Sequence, residues 1–372
     1  MVFQQGNALQ CYQPSRSDAL NITLTTAPGA TTLTTSVSHL ALSKTGYTEY
    51  GVSGTPDSGV PRAITVSNAG SVAASNLSIS YPSWPLNTAA SSNCGASLAA
   101  GSSCTITITP NNTATSDDNG AACTTGVAPT PQTISISANN ASTVSSTAVI
   151  LGYGCIYQGG YVYALDDTTS QSTSVGGKVA TTTDQANPSP GIIWSSDASG
   201  GSSQIAIYGI SETSTTSSAN PNPSTTPPSQ TPVAGQTACN GNTDGSCDTN
   251  NIYVYYQPPT TSPGIDLTLY ATGLCKKTIS GYSNWYLPAI CEMGYGSSAA
   301  CGVSGTPTLQ NMRSDLVDTL SLLSGNYWSS TEAAGNPVSG AWYQIFSATT
   351  SNQIPYFKLF SYGVRCSRAL TL

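Results

Sequence analysis

Between residues 31 and 152 the chain repeatedly alternates apolar and polar side chains, and the alternation is plainest in two segments. Ala63, Ile64, Thr65, Val66 and Ser67 form one, and Thr105, Ile106, Thr107, Ile108 and Thr109 the other. A period of two puts every apolar side chain on one face of a pleated strand, so each segment predicts a half-buried β-strand. The same signal predicts strands over residues 36–42, 62–68, 76–81, 104–109, 133–138 and 144–151. Turn formers separate them, including Asn68 with Gly70 and Pro110 with Asn111 and Asn112. Short strands at such spacing predict a small antiparallel two-sheet sandwich. Residues 1–30 form a Gln/Asn/Thr-rich lead whose one alternating run, Leu20, Ile22 and Leu24, has no partner strand to pair with.

The pattern changes after residue 152. A strand is expected over 157–165, running into the acidic turn of Asp166 and Asp167, and a short one near 191–194. Residues 211–236 are dense in Ser, Thr, Pro and Asn and predict a long surface loop. Residues 252–256 are β-branched and aromatic, which predicts a third strand. Leu309, Met312, Leu316, Leu320 and Leu323 keep three- and four-residue spacing, which predicts a helix over 308–323. Few helices, short strands and long loops mark 153–372 as a second domain with its own core, and 372 residues are enough for two.

Charge narrows the function. Only 7% of residues are charged, and the formal net charge is −7. Ten scattered Lys and Arg cannot grip nucleic acid or a polyanionic sugar. The one basic corner is Lys276 and Lys277. No apolar run is long enough to span a membrane as a helix. The first ten residues lack the basic start and apolar centre of a signal peptide, so the chain reads as a mature or truncated form whose export signal has been removed. Eleven Cys with a single His, and no Cys-x-x-Cys pair, favour disulfides in an oxidising compartment over zinc. Cys94 with Cys104, Cys239 with Cys247 and Cys291 with Cys301 each flank a short polar loop and are natural local bridges.

The last ninety residues hold ordered, aromatic-anchored blocks: Gly281, Trp285, Leu287, Pro288 and Glu292; Tyr327, Trp328, Thr331 and Glu332; Ala341, Trp342 and Phe346; and Gly363, Arg365, Cys366 and Arg368. This series resembles the C-terminal domain of the Legionella collagen-like adhesin family, a disulfide-bearing variant of the C-type-lectin-like fold. The resemblance implies an extracellular recognition domain, core positions for Trp285, Trp328 and Trp342, a long bridge from Cys275 to Cys366 joining the domain's ends and, with that bridge, Arg365 and Arg368 near Lys276 and Lys277; it also allows a helix in place of the strand over 252–256. The N-terminal half resembles the immunoglobulin-like modules of bacterial envelope proteins, where an Asn-x-Gly strand end (Asn68, Gly70) precedes a Cys-Gly…Gly-x-x-Cys hairpin (Cys94, Gly95, Gly101, Cys104). The fold expected is therefore mainly β, an immunoglobulin-like sandwich followed by an α+β C-type-lectin-like domain. Of the remaining cysteines, the strand order brings Cys155 back to the loop holding Cys123, which favours that pair. Cys11 is left for an intermolecular bond or a free thiol.

Candidate chemistry is sparse. His39, the single histidine, lies in a strand with no nucleophile beside it. The formylglycine-generating enzymes resemble the chain around Leu287, Pro288 and Glu292, but they use a cysteine pair for copper chemistry, whereas the cysteines here have bridges assigned. No enzyme and no cofactor are expected. Asn240, Asn242, Asp244 and Asp248 reproduce the oxygen spacing of the first half of a calcium loop around Gly245, yet Asn251 stands where the bidentate Glu belongs. The segment reads either as a weak calcium site or as a disulfide-closed Asx-rich turn. Tyr253, Tyr255 and Tyr343, with Lys276 and Lys277, are the expected ligand contacts, and Glu332 with Arg365 is a candidate ion pair. These readings point to an extracellular or surface-displayed bacterial adhesin-like protein that contacts glycan or protein through C-terminal loops. The rival is a subunit of a self-assembling filament, joined through Cys11, Leu20, Ile22 and Leu24.

Overall fold

The computed structural model describes residues 2–5, 8–11, 29–45, 58–112 apart from 86, residue 114, 127–213 apart from 198, 200, 202 and 203, and 232–371 apart from 297, 298 and 348. The protein is mainly β.

The first half is a sandwich of two four-stranded sheets. One holds Leu33–Thr35, Arg62–Asn68, Ser103–Thr109 and Ala89–Ser92 in that order; the other holds His39–Ser43, Ala141–Leu151, Gln132–Ala138 and Ser78–Ser80. Alternation decides which side chains face inward. Ile64, Val66, Ile106 and Ile108 from one sheet meet Leu40, Leu42, Ile134, Ile136 and Ile150 from the other in one aliphatic core. Pairing Ile106 with Ile64 and Cys104 with Val66 keeps this register, because a slip of one residue would turn the whole apolar set to solvent. The Asn68 side chain stitches its turn: its amide nitrogen donates to Val72 and Leu98 carbonyls while its oxygen accepts from the Gly70 N–H at 3.0 Å. A Cβ on Gly70 would meet the Ala30 carbonyl at 2.2 Å, so no other residue fits there.

Two details depart from the sequence reading. The run over 36–42 is not one strand: the chain breaks at residues 36–38 and crosses from the first sheet to the second. His39–Ser43 then pairs in parallel with Ala141–Leu151, so the sandwich is not wholly antiparallel.

The second half is loop-rich. A four-stranded sheet carries Ile156–Tyr157, Gly160–Asp166, Gly176–Thr181 and Ser367–Ala369, and a three-stranded sheet carries Gly325–Glu332, Gly340–Phe346 and Asn352–Phe357. The strand expected at 252–256 is instead the end of the α-helix Gly245–Tyr255. Asp244 caps it, its carboxylate accepting from the Cys247 N–H at 3.0 Å. That cap, with Ile252 and Tyr256 buried against the domain core, overrides the β propensity of the segment. The helix expected over 308–323 shrinks to Arg313–Asp318, with wide π-type turns. Asn311 accepts from the Ser314 N–H and starts it late, while Ser321, at φ +54°, ends the run. Met312, Leu316 and Leu323 are nonetheless buried as their spacing demands.

The two halves are tied together. Arg62, at the sandwich's edge, forms a buried ion pair with Asp167 at 2.7 Å and donates to the Ser170 and Thr173 carbonyls. Asp167 also accepts from the Ser43 hydroxyl and the Gly59 N–H. The 166–175 turn thus plugs into the sandwich, and its Val175 N–H donates to Ala41.

Disulfides join Cys94–Cys104, Cys239–Cys247, Cys275–Cys366 and Cys291–Cys301. Cys155 is disulfide-bonded as well, and Cys123, its expected mate, lies outside the described residues. Cys11 ends a backbone hairpin, Val2–Gln5 with Ala8–Cys11, which the sequence reading did not foresee. Leu20, Ile22 and Leu24 fall outside the described residues. No helix among the described residues is long and apolar enough to cross a membrane.

Candidate functional site

Four of the exposed large apolar side chains among the described residues form a ridge at the end of strand Asn352–Phe357. Tyr356, Phe357, Leu359 and Phe360 are all exposed, at 39–48% of their surface. A turn closes the ridge, with the Phe360 N–H on the Phe357 carbonyl. Between these side chains, Lys358 points the other way and is fully buried. Its ammonium donates to Glu332 at 2.5 Å and to the Ile205 and Pro337 carbonyls at 2.7 Å each. It also lies 4.3 Å from the centre of the Trp194 ring. The buried lysine therefore anchors the ridge from beneath and fixes which side chains are displayed. Burial pushes the Glu332 carboxyl up to about 7, against the pull of Lys358, and burial lowers the lysine.

Rings continue inward from the ridge. Tyr356 packs edge-on against Phe360 at 4.6 Å, and Tyr343 lies 4.3 Å from Tyr362, which in turn lies 4.7 Å from Trp328. Beside the ridge is a cavity of about 420 Å³ lined by Glu212, Ala333, Asn336, Pro355, Tyr356 and Phe357. The sequence reading missed this surface. A signal was present, since the chain has four Phe and two of them stand three residues apart beside Tyr356.

The residues expected to form a site are dispersed. Tyr343 is buried beneath the ridge and is not an exposed contact. Tyr253 and Tyr255 are half-buried on the helix, and Lys276 sits 4.9 Å from the Tyr253 ring, so those two do meet. Arg365 and Arg368 are buried, which leaves Lys276 and Lys277 alone at the basic corner. The expected Glu332–Arg365 pair does not form: Glu332 takes Lys358, and Arg365 takes Asp184 at 2.6 Å. Trp285, Trp328 and Trp342 lie in the core.

The calcium-loop reading is not what the chain builds. Asp244 is spent on the helix cap, and Asp248 lies one turn into the helix, fully buried, accepting from the Ser330 hydroxyl at 2.8 Å. Burial raises the Asp248 carboxyl well above its ordinary range. Asn240 and Asn242 serve through their carbonyls, which accept from Asp244 and Cys291. Among the described residues no three His, Cys, Asp or Glu come together to hold a metal. Glu292, by contrast, is a hub the sequence hid: it pairs with Lys178 at 2.5 Å and accepts from Tyr286 and from the Ala289 and Gly245 N–H groups.

No family model matches the chain, and no curated protein matches it. Two solved structures are similar over part of their length. One is domains 4 and 5 of the S-layer protein SbsC, at 14% identity and a TM-score of 0.21, covering 34% of this chain and 48% of that one. The other is the secreted serine protease VesC from Vibrio cholerae, at 13% identity and a TM-score of 0.21, covering 43% of this chain and 36% of that one. The chain thus spans less than half the length of either structure. The disulfides place the protein in an oxidising, extracellular setting.

Proposed function

We propose that this chain is a bacterial adhesin-like recognition protein that binds through C-terminal loops and performs no catalysis. The observation that carries this is the ridge of Tyr356, Phe357, Leu359 and Phe360. Soluble proteins seldom leave such a contiguous apolar patch in water without a partner. Its rigid footing on Lys358 suits recognition, because little side-chain freedom is lost on binding. An apolar ridge with few polar groups favours a protein surface over a sugar. The resemblance to the Legionella collagen-like adhesin family supports the same reading. Labelled full-length protein should bind an array of extracellular-matrix proteins or glycans, and Phe357→Ser with Phe360→Ser should abolish that binding at unchanged thermal stability. Undiminished binding by the double variant would remove the ridge from the function.

A second reading, a filament subunit, is favoured by the N-terminal hairpin, which pairs with no other sheet among the described residues. An isolated hairpin is marginal in water and offers open edges to another chain. Full-length protein should then assemble in negative stain, and a variant lacking residues 1–30 should not. A full-length monomer at high concentration under oxidising conditions would end this reading.

A further inference from the structure

A second concavity lies between the two halves of the molecule, with none of the ridge residues in its lining. It encloses about 640 Å³, within the range of small-ligand sites. The sandwich contributes residues 36–39, including His39. The C-terminal half contributes Tyr157, Gln158, Thr173, Ser174, Tyr282 and Thr371.

The groove is built and held. Tyr282 stands at a hairpin turn in which it and Ile279 exchange backbone hydrogen bonds of 2.9 and 3.0 Å. Ser280 and Gly281, the central pair, both have positive φ, as a tight two-residue hairpin requires. The buried Arg368 guanidinium lies 4.0 Å from the Tyr282 ring centre and donates to the Gln158 side chain at 2.9 Å. Gln158 in turn accepts from Thr371 and donates back to its carbonyl. On the other wall, Ser174 accepts from the Ala41 N–H at 2.9 Å, and the Thr173 carbonyl takes Arg62 at 2.6 Å. Thr147 holds Nδ1 of the exposed His39 ring at 2.7 Å, which leaves Nε2 for a ligand hydroxyl. The buried Arg62–Asp167 lock thus fixes the spacing of both walls, and a ligand would meet a preformed site.

The lining says what that ligand is. Two half-buried tyrosines, Tyr157 and Tyr282, line the groove, Tyr282 with one face already against the Arg368 guanidinium, and Ser36, Ser38, Thr173 and Thr371 add donors and acceptors. Among the described residues no Asp, Glu, Lys or Arg lines the groove, and the molecule's net charge of −7 disfavours anions. Alternating apolar faces and equatorial hydroxyls without charge are the chemistry of a neutral saccharide. We infer that the groove between the sandwich and the C-terminal domain binds a short neutral oligosaccharide, with Tyr157 and Tyr282 as stacking platforms. The inference does not depend on the ridge, and it adds a sugar site to a protein whose ridge favours a protein partner.

The test uses the full-length protein and a panel of neutral oligosaccharides of glucose, galactose, mannose and N-acetylglucosamine, read by saturation-transfer NMR and calorimetry. At least one should bind, with saturation transferred to its ring protons. Tyr282→Ala and Tyr157→Ala should each weaken binding at least tenfold while the chain stays folded by circular dichroism at the assay temperature, and Tyr282→Phe should keep most of the binding. The Phe357→Ser, Phe360→Ser double variant should bind the sugar normally, which separates this site from the ridge. Absence of binding across the panel, or binding indifferent to both tyrosine substitutions, or loss of binding only in the ridge variant, would each overturn the proposal.

Discussion

The sandwich and the C-terminal half solve the same problem, holding a weakly charged chain together, by different means. In the sandwich most buried side chains are aliphatic, alternation supplies those of the strands at 62–68 and 103–109, and one disulfide is described. In the C-terminal half the backbone wanders, and three described disulfides, four buried tryptophans and ion pairs at Lys178–Glu292, Lys358–Glu332 and Arg365–Asp184 take over. Regular strands satisfy their own backbone groups, so only apolar volume is needed to pack them. Long loops cannot satisfy theirs, and buried side chains must supply the missing donors and acceptors. Lys358 and Glu332, which meet the Ile205 and Pro337 carbonyls and the Ile207 N–H, do this directly. The apolar ridge lies on the loop-rich side of this division, whereas the groove takes one wall from each half.

The comparison can be broken most forcefully at the long bridge. Replacing Cys275 and Cys366 by Ala removes a link across 91 residues and should cost about 4–5 kcal/mol in urea unfolding of the C-terminal half. A loss under 1 kcal/mol would mean that packing alone holds the loops. Next comes the joint between the halves. Arg62→Met strands the buried Asp167 and should cost roughly 3–5 kcal/mol. Tryptophan fluorescence, dominated by the C-terminal half, should then separate from the circular-dichroism transition; coincident transitions in the variant would show that the lock does not couple the halves.

A smaller effect appears with pH. The folded Glu332 carboxyl titrates near 7 rather than 4.5, so the folded state holds its proton more tightly than the unfolded chain does. The term therefore favours folding below about 4.5 and is lost as pH rises towards 7, on the order of 3 kcal/mol in all. Glu332→Gln should flatten this slope in melting curves between pH 5 and 8; an unchanged slope would assign it elsewhere. The smallest effect belongs to the sandwich, where Ile106→Val removes one methylene from the core and should cost about 1 kcal/mol by chemical denaturation. A cost of several kcal/mol there would show that the sandwich is packed as exactingly as the loops.

Much of the first half was legible in the sequence. The strand at residues 62–68 falls where the alternation puts it, since a period-two pattern with one buried face admits a single register. The strand crossing at residues 36–38 was not legible, because alternation says which side of a strand is buried but not which sheet it joins. In the second half local signals failed where tertiary demands were stronger. The β-prone run at 252–256 became helix under the Asp244 cap, and leucine spacing at 308–323 named buried residues without securing a helix to carry them.

The mainly-β class, the sandwich core, the four described bridges and the burial of Trp285, Trp328 and Trp342 could be written down from the chain alone, whereas the burial of Trp194 could not. Each of the former follows from periodicity, from spacing, or from the resemblance of the aromatic blocks. Only the tertiary structure decided the rest: that Glu332 pairs with Lys358 rather than Arg365, that Asp248 turns inward instead of towards a metal, that Phe357 and Phe360 stand exposed, and that Tyr157, Tyr282 and His39 share one groove. The physical reason is range. Periodicity acts over a few residues, whereas the partners of a buried charge or the walls of a groove lie from 26 residues apart, as for Glu332 and Lys358, to far more, and only the folded chain brings them together.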